Sequence, residues 1–264
     1  MKRMQIRFIA VATLLGATSF MSSAQFNLGR AIQGVTKTTK ALTLSDKDLA
    51  AYVSQAVAEM DRTNKVLPEE SPYTQRLERL TSGIKEADGI PLNFKVYQTD
   101  EVNAFACPDG SVRVYTGIMD LLDDNELLGV IGHEIGHVMK HHSRKAIKDE
   151  LLRGALADAL ASADGRIAQL TDSQLGALGM ALGNARFSRK QEAEADNCGY
   201  DFLVDNGRNP WGMVMAFEKM QQLESKGTSA SQTYIQKMFS DHPDTADRIK
   251  KMTKRCEKDG YVRP

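Results

Sequence analysis

Apolar positions along the chain alternate between two periods. Leu49, Val53, Val57 and Met60 recur every three or four residues behind Ser45, which is spaced as an N-cap, so a helix is predicted from about Ser45 to Asn64. Pro68 and Pro72 break it, and a second helix is predicted from Ser71 or Pro72 to about Ala87. From Leu92 the period falls to two. Leu92–Tyr97, Glu101–Ala106 and, after the turn Pro108-Asp109-Gly110, Val112–Thr116 read as three short half-buried strands. Helical spacing returns from Asn125 to His142, with Asp123 or Asp124 as N-cap. Here Leu127, Leu128, Val130, Ile131, Ile135, Val138 and Met139 cover most of the circumference, the pattern of a buried helix. The Ala-, Leu- and Gly-rich stretch Asp149–Gly183 predicts two more helices, which would either pack as core or cover a site as a lid. The stretch Phe187–Asp196 opens another helix that continues to about Asp205 and stops at Asn206-Gly207. Pro210 starts the next, striped by Trp211, Val214, Phe217, Met220 and Leu223. A Ser/Thr loop at Thr228–Ser231 and the segment Phe239–Pro243 lead to a last helix ending near Lys258. The pattern gives an α+β fold, predominantly helical, with a small three-stranded sheet beside the buried helix.

The first 24 residues follow a different logic. Lys2, Arg3 and Arg7 precede an apolar run from Phe8 to Phe20 and small residues Ser22-Ser23-Ala24, which reads as a secretory signal peptide; the run is too short to span a bilayer. Residues 25–44 read as a flexible leader whose weak amphipathic pattern permits peripheral membrane contact, and residues 45–264 as one folded domain. The 34 basic residues balance 34 acidic ones; removing three basic residues with the signal peptide leaves 31 against 34 and a net charge of about −3. No nucleic-acid partner is suggested. The implied compartment is one where disulfides persist, and Cys107, Cys198 and Cys256 read as one optional disulfide plus a buried thiol. None has CxxC spacing, which disfavours a sulfur metal site.

The buried helix carries His133-Glu134-Ile135-Gly136-His137. Residues four apart share a helix face with Cβ atoms about 6 Å apart, so both imidazoles can converge on one ion, and Glu134 is placed to act as a general base beside it. The alternative is a helix with two core histidines and an incidental glutamate. Such a polar set is costly in an apolar helix unless it has a purpose such as a metal. Gly132 and Gly136 read as points of close approach for another backbone, and His141 and His142 as solvated helix-end residues. Catalytic zinc takes three protein ligands, so one more is required. A histidine six beyond His137 would fall at Ser143, which excludes that pattern. Glu192 and Glu194 are the prominent carboxylates, with Glu150 a weaker candidate just past the metal helix. Glu192 is preferred because Asp196, four residues on, shares its face and can accept a hydrogen bond from a ligand imidazole.

Taken together, His133-Glu134-Ile135-Gly136-His137, Glu192-Ala193-Glu194-Ala195-Asp196, Val102-Asn103-Ala104-Phe105-Ala106 and His242-Pro243 with Arg248 resemble the zinc metallopeptidases of the HtpX and CAAX prenyl endopeptidase family, chiefly its periplasmic members. The likeness runs from about Leu42 to Gly260. It implies a gluzincin fold with His133, His137 and Glu192 holding one Zn2+, Glu134 as base and Asp196 behind a ligand. It assigns Asn103, Ala104 and Phe105 to an edge strand that pairs with substrate. His242 and Arg248 would lie near the ion, stabilising the oxyanion or, for His242, occupying the open position in a latent state. The implied activity is cleavage of unfolded or misfolded envelope proteins. No cysteine stands near the expected cleavage point for lipid anchoring, and the transmembrane helices of one branch and the repeat domain of another have no counterpart. A latent, chaperone-like binder of unfolded clients is the second reading. A purely structural zinc protein is disfavoured, since it would not need Glu134.

Overall fold

The computed structural model describes residues 44–151, 167, 169–226, 241–243 and 245–264. The expected signal peptide, almost all of the leader, the Thr228–Ser231 loop, Phe239-Ser240 and the middle of the Asp149–Gly183 stretch lie outside these residues.

Helix α1 (Asp46–Thr63) starts where its sequence says it should: the Ser45 and Asp48 side chains exchange hydrogen bonds with each other's backbone N–H groups in a capping box. Helix α2 (Pro72–Thr81) has proline in its first turn, where no N–H is needed. It ends six residues before the predicted Ala87. The Ser82-Gly83 break lets Ile84 N–H turn back to the Thr81 carbonyl, and a two-residue hairpin follows, β1 (Glu86–Ala87) with β2 (Ile90–Pro91).

The three predicted strands are present as β3 (Asn93–Tyr97), β4 (Ala104–Ala106) and β5 (Ser111–Tyr115), ordered β3-β5-β4. β5 is central, parallel to β3 and antiparallel to β4. The strands were expected to be half-buried, but β5 is buried along its whole length. The reason is α1. Val96, Ala104, Val112 and Val114 face the main core, while Tyr97, Phe105 and Tyr115 pack on the other side with Leu49, Tyr52, Val53 and Val57 of α1. Arg113, only 2% exposed, is neutralised there by Asp61 of α1, whose carboxylate lies 2.8 and 3.0 Å from its Nε and Nη2 and also accepts from Lys95 and Tyr97.

A short unpredicted helix, α3 (Thr116–Leu121), leads into α4 (Asp124–Met139), capped by Asp123 in a capping box with Glu126. Then come α5 (Arg144–Leu151), α6 (Asp172–Gly183), α7 (Arg189–Asp205), α8 (Trp211–Lys226) and α9 (Thr245–Lys258). The main core joins β3–β5, α4, α7, α8 and α9; α5 and α6 close the second core over α1. No helix among the described residues is long and apolar enough to cross a membrane.

Glycines set the spacing of α4 and α7. A Cβ on Gly136 would stand 3.0 Å from the Ala195 carbonyl oxygen, and one on Gly199 2.9 Å from the His133 nitrogen, so these two backbones touch. Gly132 departs from the expectation, since it receives the Phe202 ring rather than a backbone. The optional disulfide does not form, and all three cysteines are free thiols. Cys107 belongs to the second core and Cys256 to the main one, on opposite faces of the sheet, while Cys198 lies on α7.

Candidate metal centre

The contact of α4 with α7 brings His133 and His137 of one helix against Glu192 and Asp196 of the other, all nearly inaccessible to solvent. α7 begins on a Ser188–Gln191 capping box, which fixes Glu192 and Asp196 four residues apart on the face turned to α4. His242, just ahead of α9, completes the group. Among the described residues, His133, His137, Glu192 and His242 form the set able to hold a metal ion. Glu194 and Glu150 are not members.

Donor separations lie between 3.1 and 3.6 Å, those of Glu192 taken to its nearer oxygen. His133 Nε2 lies 3.1 Å from His137 Nε2 and 3.4 Å from His242 Nδ1. Glu192 Oε1 lies 3.5 Å from His137 Nε2 and 3.2 Å from His242 Nδ1, and its Oε2 3.6 Å from His133 Nε2. A tetrahedral ion with arms of about 2.0–2.1 Å needs donors about 3.3–3.4 Å apart, so the set fits such an ion.

Electrostatics favour the ligating forms. Burial pushes the His137 imidazole down to about 2 against the pull of Glu192, so the ring is neutral. Burial alone would raise Glu192, but His137 and His242 outweigh it and hold the carboxyl well below the usual range. Its Oε2 also takes the Arg248 guanidinium at 2.7 Å. Asp196 accepts from the same guanidinium in a fork, at 2.9 and 2.6 Å, and faces His133 Nδ1 at 3.0 Å. Against its burial, these contacts hold Asp196 at about 2. Arg248 rests on the Phe217 ring at 4.4 Å.

Glu134 is buried beside the group with its carboxylate 3.8 Å from His242 Nε2, and burial pushes it above the usual carboxylate range. Burial would lower His242, yet Glu134 and Glu192 raise it. Glu134 and His242 line one cleft with Asn103, Ala104, Phe105 and Ala106. The outer edge of β4 therefore borders the site. Asn103 O and Cys107 N–H bond to β5, so by strand alternation the N–H and C=O of Ala104 and Ala106 point away from β5.

Three neighbours were not anticipated. Phe187 stacks on the His137 ring, centroids 3.7 Å apart. Ser143 Oγ is buried without a hydrogen-bond partner in a residue lining the same cleft. His142, expected to be solvated, is buried with Nδ1 2.9 Å from His137 Nδ1 and Nε2 3.0 Å from Glu194 Oε2. The cause is the end of α4. His141 has φ +53°, its N–H bonds to Val138 O, and His142 N–H reaches back to His137 O, a Schellman cap that folds His142 under the helix. His141 itself stays exposed, as expected.

The model of peptidase family M48 matches residues 73–256. The chain is 38% identical to the metalloprotease LoiP of Escherichia coli (strain K12) over 258 residues, 97% of this chain and 99% of that one. It is also 38% identical to the metalloprotease YcaL of the same strain over 242 residues, 91% and 92% of the two chains. It is 30% identical to the beta-barrel assembly-enhancing protease of Escherichia coli O157:H7 over 140 residues, 49% of this chain and 28% of that one.

Proposed function

The chain belongs to peptidase family M48 and is a metalloendopeptidase, and from that premise we propose that it uses zinc to cleave extended segments of unfolded or misfolded envelope proteins. His133, His137 and Glu192 are the ligands in this reading. It rests chiefly on one observation: two imidazoles and a carboxylate converge at tetrahedral spacing while the buried Glu134 carboxylate faces the cleft beside them.

Zinc held there would supply Lewis acidity towards the scissile carbonyl and bring the ionisation of water near neutrality. Glu134 takes the proton from the attacking water and delivers it to the leaving amide nitrogen. Its raised affinity for protons suits that shuttle. Asp196 holds His133 from behind by accepting its Nδ1–H, and Arg248 offsets the two buried carboxylates. The outward backbone groups of Ala104 and Ala106, beside Asn103 and Phe105, add a substrate strand by main-chain hydrogen bonds that ignore side-chain identity. That mode requires an extended substrate, which is why unfolded proteins fit. Residues 1–24 as signal peptide and the periplasm as compartment complete the proposal, and the leader offers a peripheral membrane contact.

A specific observation favours a latent state as well. His242 Nδ1 stands where a fourth ligand would, 3.4 Å from His133 Nε2 and 3.2 Å from Glu192 Oε1. In this state the open corner is taken, and substrate entry requires His242 to swing away, while Arg248 stays clamped to Asp196 and Glu192. The test compares cleavage of a reduced, unfolded protein and of its native form by wild type, Glu134→Gln and His242→Ala. Cleavage confined to the unfolded form, lost in Glu134→Gln and faster in His242→Ala, is expected. Equal cleavage by wild type and Glu134→Gln would overturn the assignment.

A further inference from the structure

The two histidines of α4 are backed differently. His133 turns Nδ1 directly to a carboxylate, Asp196, at 3.0 Å. His137 turns Nδ1 to a second imidazole, His142 Nδ1, at 2.9 Å, and that ring turns Nε2 to Glu194 Oε2 at 3.0 Å. Accepting His137 Nε2 as a metal donor, its proton must reside on Nδ1. Nδ1–H then donates to His142 Nδ1, which must be unprotonated, and His142 carries its own proton on Nε2 and donates it to Glu194. Each ring has one donor and one acceptor, and the carboxylate at the end makes one arrangement self-consistent.

We propose that His142 and Glu194 form a positioning relay that fixes the tautomer and ring angle of His137, doing across two links what Asp196 does for His133 in one. The proposal rests on the zinc reading above. Three features of the fold serve it. The αL residue His141 turns His142 under His137; α7 presents Glu194 two residues after Glu192, so the same helix supplies a ligand and the end of the relay; Phe187 stacks on the His137 ring. Glu194 is 40% exposed on its side chain, so the relay ends at solvent, whereas Asp196 is sealed by Arg248.

The experiment uses the full chain and zinc itself. Zinc dissociation constants are measured by competition with a chelating indicator for wild type, His142→Ala, His142→Asn, Glu194→Ala and His137→Ala. Ring-nitrogen NMR shifts of His137 are recorded in the metal-free protein. Loss of such an outer partner weakens metal binding typically by about 10- to 100-fold. That loss is expected in His142→Ala. His142→Asn, whose side-chain oxygen can accept from His137 Nδ1–H, should recover most of it, and Glu194→Ala should fall between. Wild-type His137 should be protonated at Nδ1, and His142→Ala should show a mixture of tautomers, which a merely packing role for His142 would not produce. Unchanged zinc affinity in His142→Ala, or a His137 protonated at Nε2 in wild type, would overturn the relay. If His142→Ala does not fold, the exposed Glu194→Ala carries the same test, an unchanged affinity counting against the relay. The zinc reading is judged separately by His137→Ala, which must lose high-affinity zinc whether or not the relay exists.

Discussion

Gly136 is the residue whose replacement probes most directly how the fold sets the site. A Cβ placed there would meet Cys198 Cβ at 2.8 Å, the Ala195 carbonyl oxygen at 3.0 Å and Ala195 Cα at 3.1 Å. Two of these atoms are backbone of α7 and cannot rotate aside, so α7 must move away from α4 by several tenths of an ångström. Alanine gains about 0.8–1.0 kcal/mol of helix propensity over glycine. Overpacking against fixed backbone costs about 1–3 kcal/mol, and this contact belongs at the upper end. Gly136→Ala should therefore be destabilised by about 1–2 kcal/mol net. Gly176 in α6 is the matched control: it is exposed with nothing within 4 Å of an added Cβ, so Gly176→Ala should gain about 1 kcal/mol. Urea unfolding of the metal-free proteins measures both. Zinc titration adds the functional half, because the same shift carries Glu192 away from His137 and should weaken binding in Gly136→Ala only. If Gly136→Ala is as stable as Gly176→Ala and binds zinc like wild type, the helix contact does not set the site.

Asp61→Asn leaves Arg113 buried without its partner. Breaking a buried pair costs about 3–5 kcal/mol, and because Asp61 keeps 16% exposure the lower end, about 3 kcal/mol, is expected, seen as a melting point lower by about 10 °C. Against the opposing effect of burial, hydrogen bonds from Arg113, Lys95 and Tyr97 hold the Asp61 carboxyl below its ordinary value. Its stabilisation is thus present above the unfolded pKa of about 3.9 and lost as pH falls through the folded one, so the wild-type advantage should shrink on acidification. His141→Gly relieves a left-handed conformation at an exposed residue and should raise stability by about 1 kcal/mol; a loss would mean the His141 side chain matters more than its backbone. Zinc at a hundred times its dissociation constant should stabilise the folded protein by about 2.7 kcal/mol, or about 5–10 °C in melting temperature, and a chelator should reverse it. An unchanged melting point would mean no ion binds the folded chain.

Much of the arrangement is legible before any coordinates. Ser45 before the first helix and Asp123 before the apolar one announce two helix starts by capping chemistry that is local in sequence. The four-residue spacings His133–His137 and Glu192–Asp196 name the faces that meet, because helix geometry converts spacing into direction. What depends on tertiary packing is not legible in that way. The burial of β5 on both sides follows from α1 crossing the sheet, which no alternation in Val112–Tyr115 reveals. The early end of α2 and the short α3 hang on turns worth little in propensity. His142 escaped because a single αL residue, His141, decides whether the next side chain continues into solvent or folds beneath the helix. Histidine tolerates that conformation better than most residues, so the pair of adjacent histidines after Lys140 was the one available signal.

The central claim is that residues from two helices hold one zinc ion while Glu134 handles protons without binding it. Elemental analysis of zinc per chain in wild type, Glu134→Gln and Glu192→Ala, purified alike and paired with cleavage of an unfolded protein, addresses it directly. The account predicts one zinc in wild type and Glu134→Gln, cleavage by wild type alone, and no stoichiometric zinc in Glu192→Ala. Full zinc in Glu192→Ala, or undiminished cleavage by Glu134→Gln, would contradict it.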